Sequence, residues 1–251
     1  MRLVTLNAHQ GFNALRRRQA LPLIREALQA TGADLVCLQE VGVAIGSAPD
    51  RSQYEMLADT VWPQHAYGRN AVVTGGHHGN ALLSKYPITS WRNVDISVGR
   101  AERRGLLHCV VDVLPGSLPL HVACVHLALH ESHRAVQVTR LLEFLTKEVP
   151  KDAPLVVAGD FNDWRCLAHA RICSEGALEE IHAAANAQPA RTFPAWLPLL
   201  RLDRIYVRNL RHEPLPLPQR PWSRLSDHVP LGGIIEPREP RATRCPFPMK
   251  D

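Results

Sequence analysis

The chain has 251 residues, 45% of them hydrophobic, and a formal net charge of +5 with a pI near 9.1, which suits one domain with a large core and mildly favours a polyanionic partner or substrate. Its 25 Arg against 4 Lys match bidentate phosphate contacts, although a GC-rich genome gives the same bias. None of the six cysteines forms a CxxC pair, no stretch is apolar for long enough to span a bilayer and no h-region opens the chain, so a disulfide framework, a zinc ribbon and a membrane span are excluded and a soluble cytoplasmic protein is expected.

In chain order, a first strand is predicted at Leu3–Leu6. A helix follows over Ala20–Ala30, where Leu21, Ile24 and Leu28 share one face and Pro22 falls in the first turn. A strand at Leu35–Leu38 and a short helical pattern at Tyr54–Val61 come next. Strands are predicted at Ala81–Ser84, Leu106–Val113 and His121–Val125. Val138, Leu141, Leu142 and Leu145 predict a helix over Arg134–Glu148, stopped by Pro150. Strands at Leu155–Ala158, Arg204–Val207 and Leu231–Ile235 complete the set. Residues 42–53 and 186–200 read as long loops, and the Pro- and Arg-rich tail 237–251 as irregular. The order argues for an α/β (α+β) sandwich with helices outside, one domain over residues 1–236.

The informative pattern lies where these strands stop. LVTLN ends in Asn7, DLVCLQE in Glu40 and VACVH in His126; LVVAGDFN ends in Asp160 and Asn162. Asp203 opens LDRIYV, and Asp227 and His228 stand just before the last apolar run. Burying carboxylates is costly unless something pairs with them. Each residue alone has a bland explanation: a turn former at Asn7, a loop starter at Glu40, an Asx cap in GDFN. Six at successive strand ends are harder to dismiss, because strands hold side chains rigidly and make a good site floor. In an extended segment Asp160 and Asn162, two apart, would share a face, with Asp163 turned away.

Carboxylate and carbonyl oxygens suit Mg²⁺ beside a phosphate. Glu40, Asp227 and Asn7 fit that task, two histidines fit proton movement, and a carboxylate such as Asp203 fits the orienting of one of them. Arg104 and Asn80 are candidate substrate contacts. His9, His77 and His78 read as exposed loop residues, and Arg134 and Gln137 as a tie or cap at a helix start. His126, His130 and His133 have metal-like spacing, but VACVH reads as strand and no HExxH glutamate is present, so a zinc site is set aside.

LNAHQG, LQEV, GNALLSKYPI, VHLALH, VAGDFNDW, RLDRIYV and SDHVPL resemble the ordered motifs of the endonuclease/exonuclease/phosphatase superfamily, the DNase I-like fold. The resemblance runs from about residue 3 to 235 and looks closest to an uncharacterised bacterial branch. It implies a four-layer αββα sandwich, two mostly antiparallel sheets face to face with outer helices. It implies metal positions at Asn7, Glu40 and Asp227. Asp160 and Asn162 match the pair that orients water and contacts phosphate, Asp203 and His228 a hydrogen-bonded dyad, and His126 a second histidine. It implies in-line attack by water with Mg²⁺ or Mn²⁺ and no covalent intermediate.

The fold does not fix the substrate. DNA is expected first, because residues 191–224 hold seven Arg against Asp203 and Glu213. A phospholipid or sphingomyelin-type diester, or a small phosphate ester, is the alternative: FPAWLPLL at 193–200 could reach a membrane, although packing of that loop onto the core is expected. A non-catalytic binding module ranks below both, since no central position is missing. A monomer is expected.

Overall fold

A computed structural model describes residues 1–12, 19–44, 52–73, 76–100 and 102–237. They form β1 (Arg2–Asn7), α1 (Leu21–Ala30), β2 (Leu35–Ala44), α2 (Gln53–Ala58), β3 (Gln64–Val73), β4 (Gly76–Ser84), β5 (Ile88–Asp95), β6 (Gly105–Val111), β7 (Leu120–His126), α3 (Glu131–Glu148), β8 (Leu155–Asp160), α4 (Leu167–Gly176), β9 (Glu179–Glu180), α5 (Ile181–Asn186), β10 (Asp203–Arg208), β11 (Leu210–Leu215) and β12 (Leu231–Pro237). Two mixed six-stranded sheets result, ordered β11-β12-β1-β2-β4-β3 and β5-β6-β7-β8-β10-β9. Each has one parallel pairing, β1 with β2 and β7 with β8, among antiparallel ones. These are the two places where a helix, α1 or α3, provides the crossover that a parallel pair needs.

Strict alternation along the strands builds the layers. Leu3, Leu35, Cys37, Val122, Cys124, Val156, Ala158, Ile205 and Val207 meet in one cluster between the sheets. The intervening Val4, Leu6, Val36 and Leu38 face outward under α1 and α2. Leu155 and Val157 face outward under α3 and α4. Cys37, Cys109 and Cys124 are free thiols fully buried in this arrangement, small hydrophobes as their strands require. The architecture is the αββα sandwich that the resemblance implied.

The predicted strands and helices exist, with shifted ends. β2 runs on to Ala44 through residues expected to be loop, α3 starts three residues earlier at Glu131, and β12 takes in Pro237 of the expected tail. The rest of that tail, and 45–51 of the expected 42–53 loop, lie outside the described residues. β3, β5, β9, β11, α4 and α5 carried no readable pattern. β5 is an edge strand with most of its side chains in solvent, so it shows no apolar alternation. β11 is another edge and contains Pro214, which only an edge tolerates. α5 is only six residues long, too short for a helical period to emerge.

Candidate active site

The same alternation that fills the core delivers polar groups to its end. The inward positions of β1 run Leu3, Thr5, Asn7; those of β7 end in Cys124, His126; those of β8 run Val156, Ala158, Asp160; those of β10 begin at Asp203 and continue with Ile205. β8 pairs with both neighbours so that Asp160 stands opposite His126 on one side and Asp203 on the other. Gly159 permits this register. Its φ is +146°, and a Cβ there would lie 1.9 Å from the Val125 carbonyl oxygen, inside any real contact distance.

Glu40 breaks the alternation. By parity it belongs with the outward Val36 and Leu38. The β2–β4 register slips between Leu38 and Val41, and Glu40 takes a φ of 56°. Such a bulge re-aims a side chain, and Glu40 ends up 3.4 Å from Asn7 Nδ2.

Asp160 is the hub. Its Oδ2 accepts from Asn7 Nδ2 at 3.1 Å and lies 3.5 Å from His126 Nε2 and 3.8 Å from His228 Nε2. Its Oδ1 accepts the Asn162 N–H at 2.9 Å. Asn162 is not extended: at φ 49° it closes an Asx-type turn, and its Nδ2 donates to Leu127 O at 3.0 Å. The shared-face expectation for Asp160 and Asn162 is therefore replaced by a local turn that joins the two loops leaving β7 and β8. Asp163 does turn away, accepting N–H groups of Leu167 and His169 at the start of α4.

Asp203 Oδ2 meets His228 Nδ1 at 2.8 Å. The turn carrying Asp227 and His228 is anchored from three sides. Ser226 Oγ donates to Asn7 O at 2.7 Å, Ala195 N–H donates to Asp227 O at 2.7 Å, and the Phe193 ring lies 5.1 Å from the His228 ring. Asp227 Oδ1 is 3.6 Å from His9 Nδ1. His9 is buried, not exposed as its sequence context implied, and its N–H donates to Asn7 Oδ1. His77 and His78 likewise sit half-buried in β4, His77 with Nδ1 2.8 Å from the Tyr67 hydroxyl.

Burial pushes the Asp160 carboxyl up to about 6; the Asp203 charge adds to this, while His228, the Asn162 N–H and Asn7 oppose it. Burial also works against charge on His228, but Asp203 foremost, then Asp160 and Asp227, outweigh it and hold this imidazole up to about 10. His126 is driven well below the usual histidine range by burial and by the charges of Arg104, His228 and His78. One histidine is thus held cationic and the other neutral, 3.8 and 3.5 Å from one carboxylate oxygen.

Two expected substrate contacts are tied elsewhere. The Arg104 guanidinium pairs with Glu102, although its charge reaches His126. Asn80 is fully buried and donates to Gly105 O and Cys124 O, a bond between the sheets. Asn7 offers the two carboxylates its Nδ2 donor, not an oxygen. Arg134 and Gln137 tie the start of α3 to the loop leaving β7: Arg134 donates to Ala128 O and Leu129 O, and Gln137 accepts the Ala128 N–H. His130 and His133 pair with each other at the start of α3, apart from His126.

A divalent cation that prefers oxygen fits the donor set. Glu40, bonded to Asn7, and Asp227, whose neighbour Ser226 bonds Asn7 O, are part-exposed carboxylates, and the buried Asp203 Oδ1 and Asn80 Oδ1 accept no hydrogen bond from the described residues. Asp160, Asp203 and His228 also offer donor atoms within 4.8 Å of one another. A cationic His228 bonded to Asp203 makes that triad the poorer cation site. A cavity of about 520 Å³ lies away from these groups, between α1 and residues 215–225, with mostly apolar walls.

Residues 4–228 match the model of the Endonuclease/Exonuclease/phosphatase family. The chain belongs to that family. Its members are generally phosphoric ester hydrolases, among them nucleases, phosphodiesterases and phosphatases, and they typically use divalent metals. The chain is 49% identical over 243 residues to the uncharacterised protein YbhP of Escherichia coli K12, covering 93% of this chain and 95% of that one. In fold it is similar to the human Nocturnin catalytic domain with bound sulfate (TM-score 0.74, 17% identity, 94% of each chain). It is also similar to the Bacteroides thetaiotaomicron mannosyl-6-phosphatase Bt3783 (TM-score 0.70, 16% identity, 94% of this chain and 99% of that one). Among the described residues no helix is long and apolar enough to cross a membrane.

Proposed function

We propose that the protein is a divalent-metal-dependent phosphodiesterase in which water attacks phosphorus in line. The observation that carries this reading is the meeting of Asn7, His126 and His228 on one Asp160 oxygen at the polar end of the inter-sheet core. With its pKa raised to about 6, Asp160 is ionised near neutrality and still basic enough to take a proton from water. His228, kept charged by Asp203, presents Nε2–H where negative charge gathers on the phosphate. Neutral His126, with Arg104 behind it, gives a second hydrogen bond to a phosphoryl oxygen. Asn162 holds Asp160 in orientation through its N–H. Glu40 and Asp227 would hold Mg²⁺ or Mn²⁺ with Asn7 orienting Glu40, and the bound ion would supply a Lewis acid for a phosphoryl oxygen.

The test is turnover of bis-p-nitrophenyl phosphate with Mg²⁺ or Mn²⁺, with and without EDTA. Turnover that survives in Asp160→Ala and His228→Ala would overturn the site. p-Nitrophenyl phosphate alongside separates this reading from a monoesterase such as the Bacteroides neighbour.

Two carriers of the diester are in play. DNA is favoured by the Arg content of residues 191–224, but three of those arginines are engaged within the chain. Arg204 is buried and bonded to the Asp163, Arg201 and Asp203 carbonyls. Arg208 sits at the far end of β10, donating to Pro150 O. Arg201 is spent on Pro189 O and Gln188. A phospholipid is favoured by the loop 193–200: Phe193 and Ala195 pack beside the site as expected, but Trp196, Leu197, Leu199 and Leu200 are exposed.

A further inference from the structure

Fourteen large hydrophobic side chains are exposed among the described residues; six of them sit on three loops at the active-site end of the sheets, and a seventh, Leu167, on the first residue of the helix that follows one of those loops. Leu129 (60% exposed) lies on the loop leaving β7 after His126. Trp164 lies on the loop leaving β8 after Asn162, and Leu167 opens α4 directly behind it. Trp196 (66%), Leu197, Leu199 and Leu200 lie on the loop that enters β10 at Asp203. A scatter of single exposed apolar residues means nothing, but a concentration around one opening does.

The 193–200 loop is built to stay exposed. Thr192 and Phe193 N–H groups donate to Leu200 O, and Leu199 and Leu200 N–H groups donate back to Phe193 O. Its inner residues face the site: Ala195 is fully buried and bonded to Asp227 O, and Phe193 lies against His228. The closed hairpin leaves its tip, Trp196 to Leu200, largely uncovered by the described residues. The chain thus orders four large apolar groups in water instead of folding them in.

Charge identifies the cover. The loop touches the 214–226 segment, where Gln219 Nε2 donates to Ala195 O at 3.2 Å. Residues 181–202 and 214–226 contain Arg191, Arg201, Arg220 and Arg224 and no Asp or Glu. Arg191, Arg220 and Arg224 are exposed. Trp and Leu tips on a loop whose own segment and whose neighbouring segment carry exposed Arg, with the part-exposed Asp227 on the inner, site-facing side, match the boundary between anionic headgroups and acyl chains. DNA would use the arginines and leave the apolar tip in water.

We propose that the 193–200 loop inserts into the surface of an anionic phospholipid bilayer and presents the site to a phosphodiester in the headgroup layer. The implied substrate rests on the phosphodiesterase reading; the docking does not. Full-length protein is sedimented with vesicles of phosphatidylcholine alone and of phosphatidylcholine mixed with phosphatidylglycerol, at low and high salt. Wild type is expected to bind the anionic vesicles, more weakly in salt. The exposed double variant Trp196→Ser/Leu199→Ser is expected to bind at least about tenfold more weakly while bis-p-nitrophenyl phosphate turnover and circular dichroism stay unchanged. Absent vesicle binding by wild type, or equal binding by the double variant, overturns the docking. So does a loss of DNA cleavage, instead of vesicle binding, in the double variant. Asp160→Asn separates the two readings: bound vesicles with no soluble-ester turnover by any form would sink the enzyme reading and leave docking standing, and turnover without binding would do the reverse.

Discussion

His228 Nδ1 and Asp203 Oδ2 stand 2.8 Å apart, both side chains buried, with Asp160 on the far side of the ring. The pair fixes which ring nitrogen faces Asp160. Asp203→Asn removes the charge that outweighs burial at His228, so the imidazole should titrate several units lower. Turnover should fall on the order of 10²- to 10⁴-fold, chiefly in kcat, and stability on the order of 3 kcal/mol for the broken buried pair. NMR titration of the His228 ring and steady-state kinetics check both halves.

The same histidine sets a stability slope. Its folded pKa of about 10 stands above the ordinary 6.5, so the native state holds a proton that the unfolded chain has released between those values. The stability that His228 contributes is therefore fully present below about pH 6.5 and is lost toward pH 10, by at most about 5 kcal/mol. Asp160, raised to about 6, has the same sign between about 4 and 6. His126, driven downward, has the opposite sign below 6.5. Denaturant titrations at pH 7 and 9 should show the decline in wild type and a flatter profile in His228→Asn.

Activity should follow Asp160 in the acid range. If its carboxylate accepts the proton of water, log kcat rises with pH and levels off above about 6. A pH–rate profile with saturating metal measures this. A limb that persists in Asp160→Asn would assign it to another group.

The strand-end pattern was legible because parity carries chemistry as well as packing. Asn7, His126, Asp160 and Asp203 continue the inward series of their strands, and a reader of period two reaches each of them. Glu40 lay on the outward parity, and only the β2 bulge brings it in. Asn162 sat at a readable place but its positive φ was not readable, so its role came out as a turn and not a shared face. His9 was missed since a histidine in a polar, glycine-containing stretch looks like any surface loop, and only the packing of the β1 end against the Asp227 turn buries it. The tip at 193–200 was read as core filler because eight largely apolar residues carry no mark of which side faces water; the internal hairpin bonds decide that.

Metal dependence should track Glu40. EDTA is expected to abolish turnover, and Mg²⁺ or Mn²⁺ to restore it. Glu40→Gln keeps the shape and the Asn7 contact but removes one of the two part-exposed carboxylates. Half-maximal activity should then need roughly tenfold more metal or above. Calorimetric titration of the metal into protein without substrate reads the same loss independently of turnover. Equal metal affinity in Glu40→Gln would move the ion to the Asp160–Asp203–His228 group.

The β7–β8 register makes one glycine answerable for the whole geometry. Gly159 has φ +146° and stands opposite Val125, whose carbonyl oxygen would lie 1.9 Å from any Cβ. Alanine can be accommodated only by parting the two strands just where His126 and Asp160 face each other. Gly159→Ala should cost at least about 2 kcal/mol of stability. It should also lower turnover by more than the folded fraction explains, because the 3.5 Å approach of His126 Nε2 to Asp160 Oδ2 lengthens with the strand spacing. Thermal unfolding beside single-turnover rates separates the two effects. A variant that unfolds earlier but turns over normally per folded molecule would show that the site tolerates the wider register.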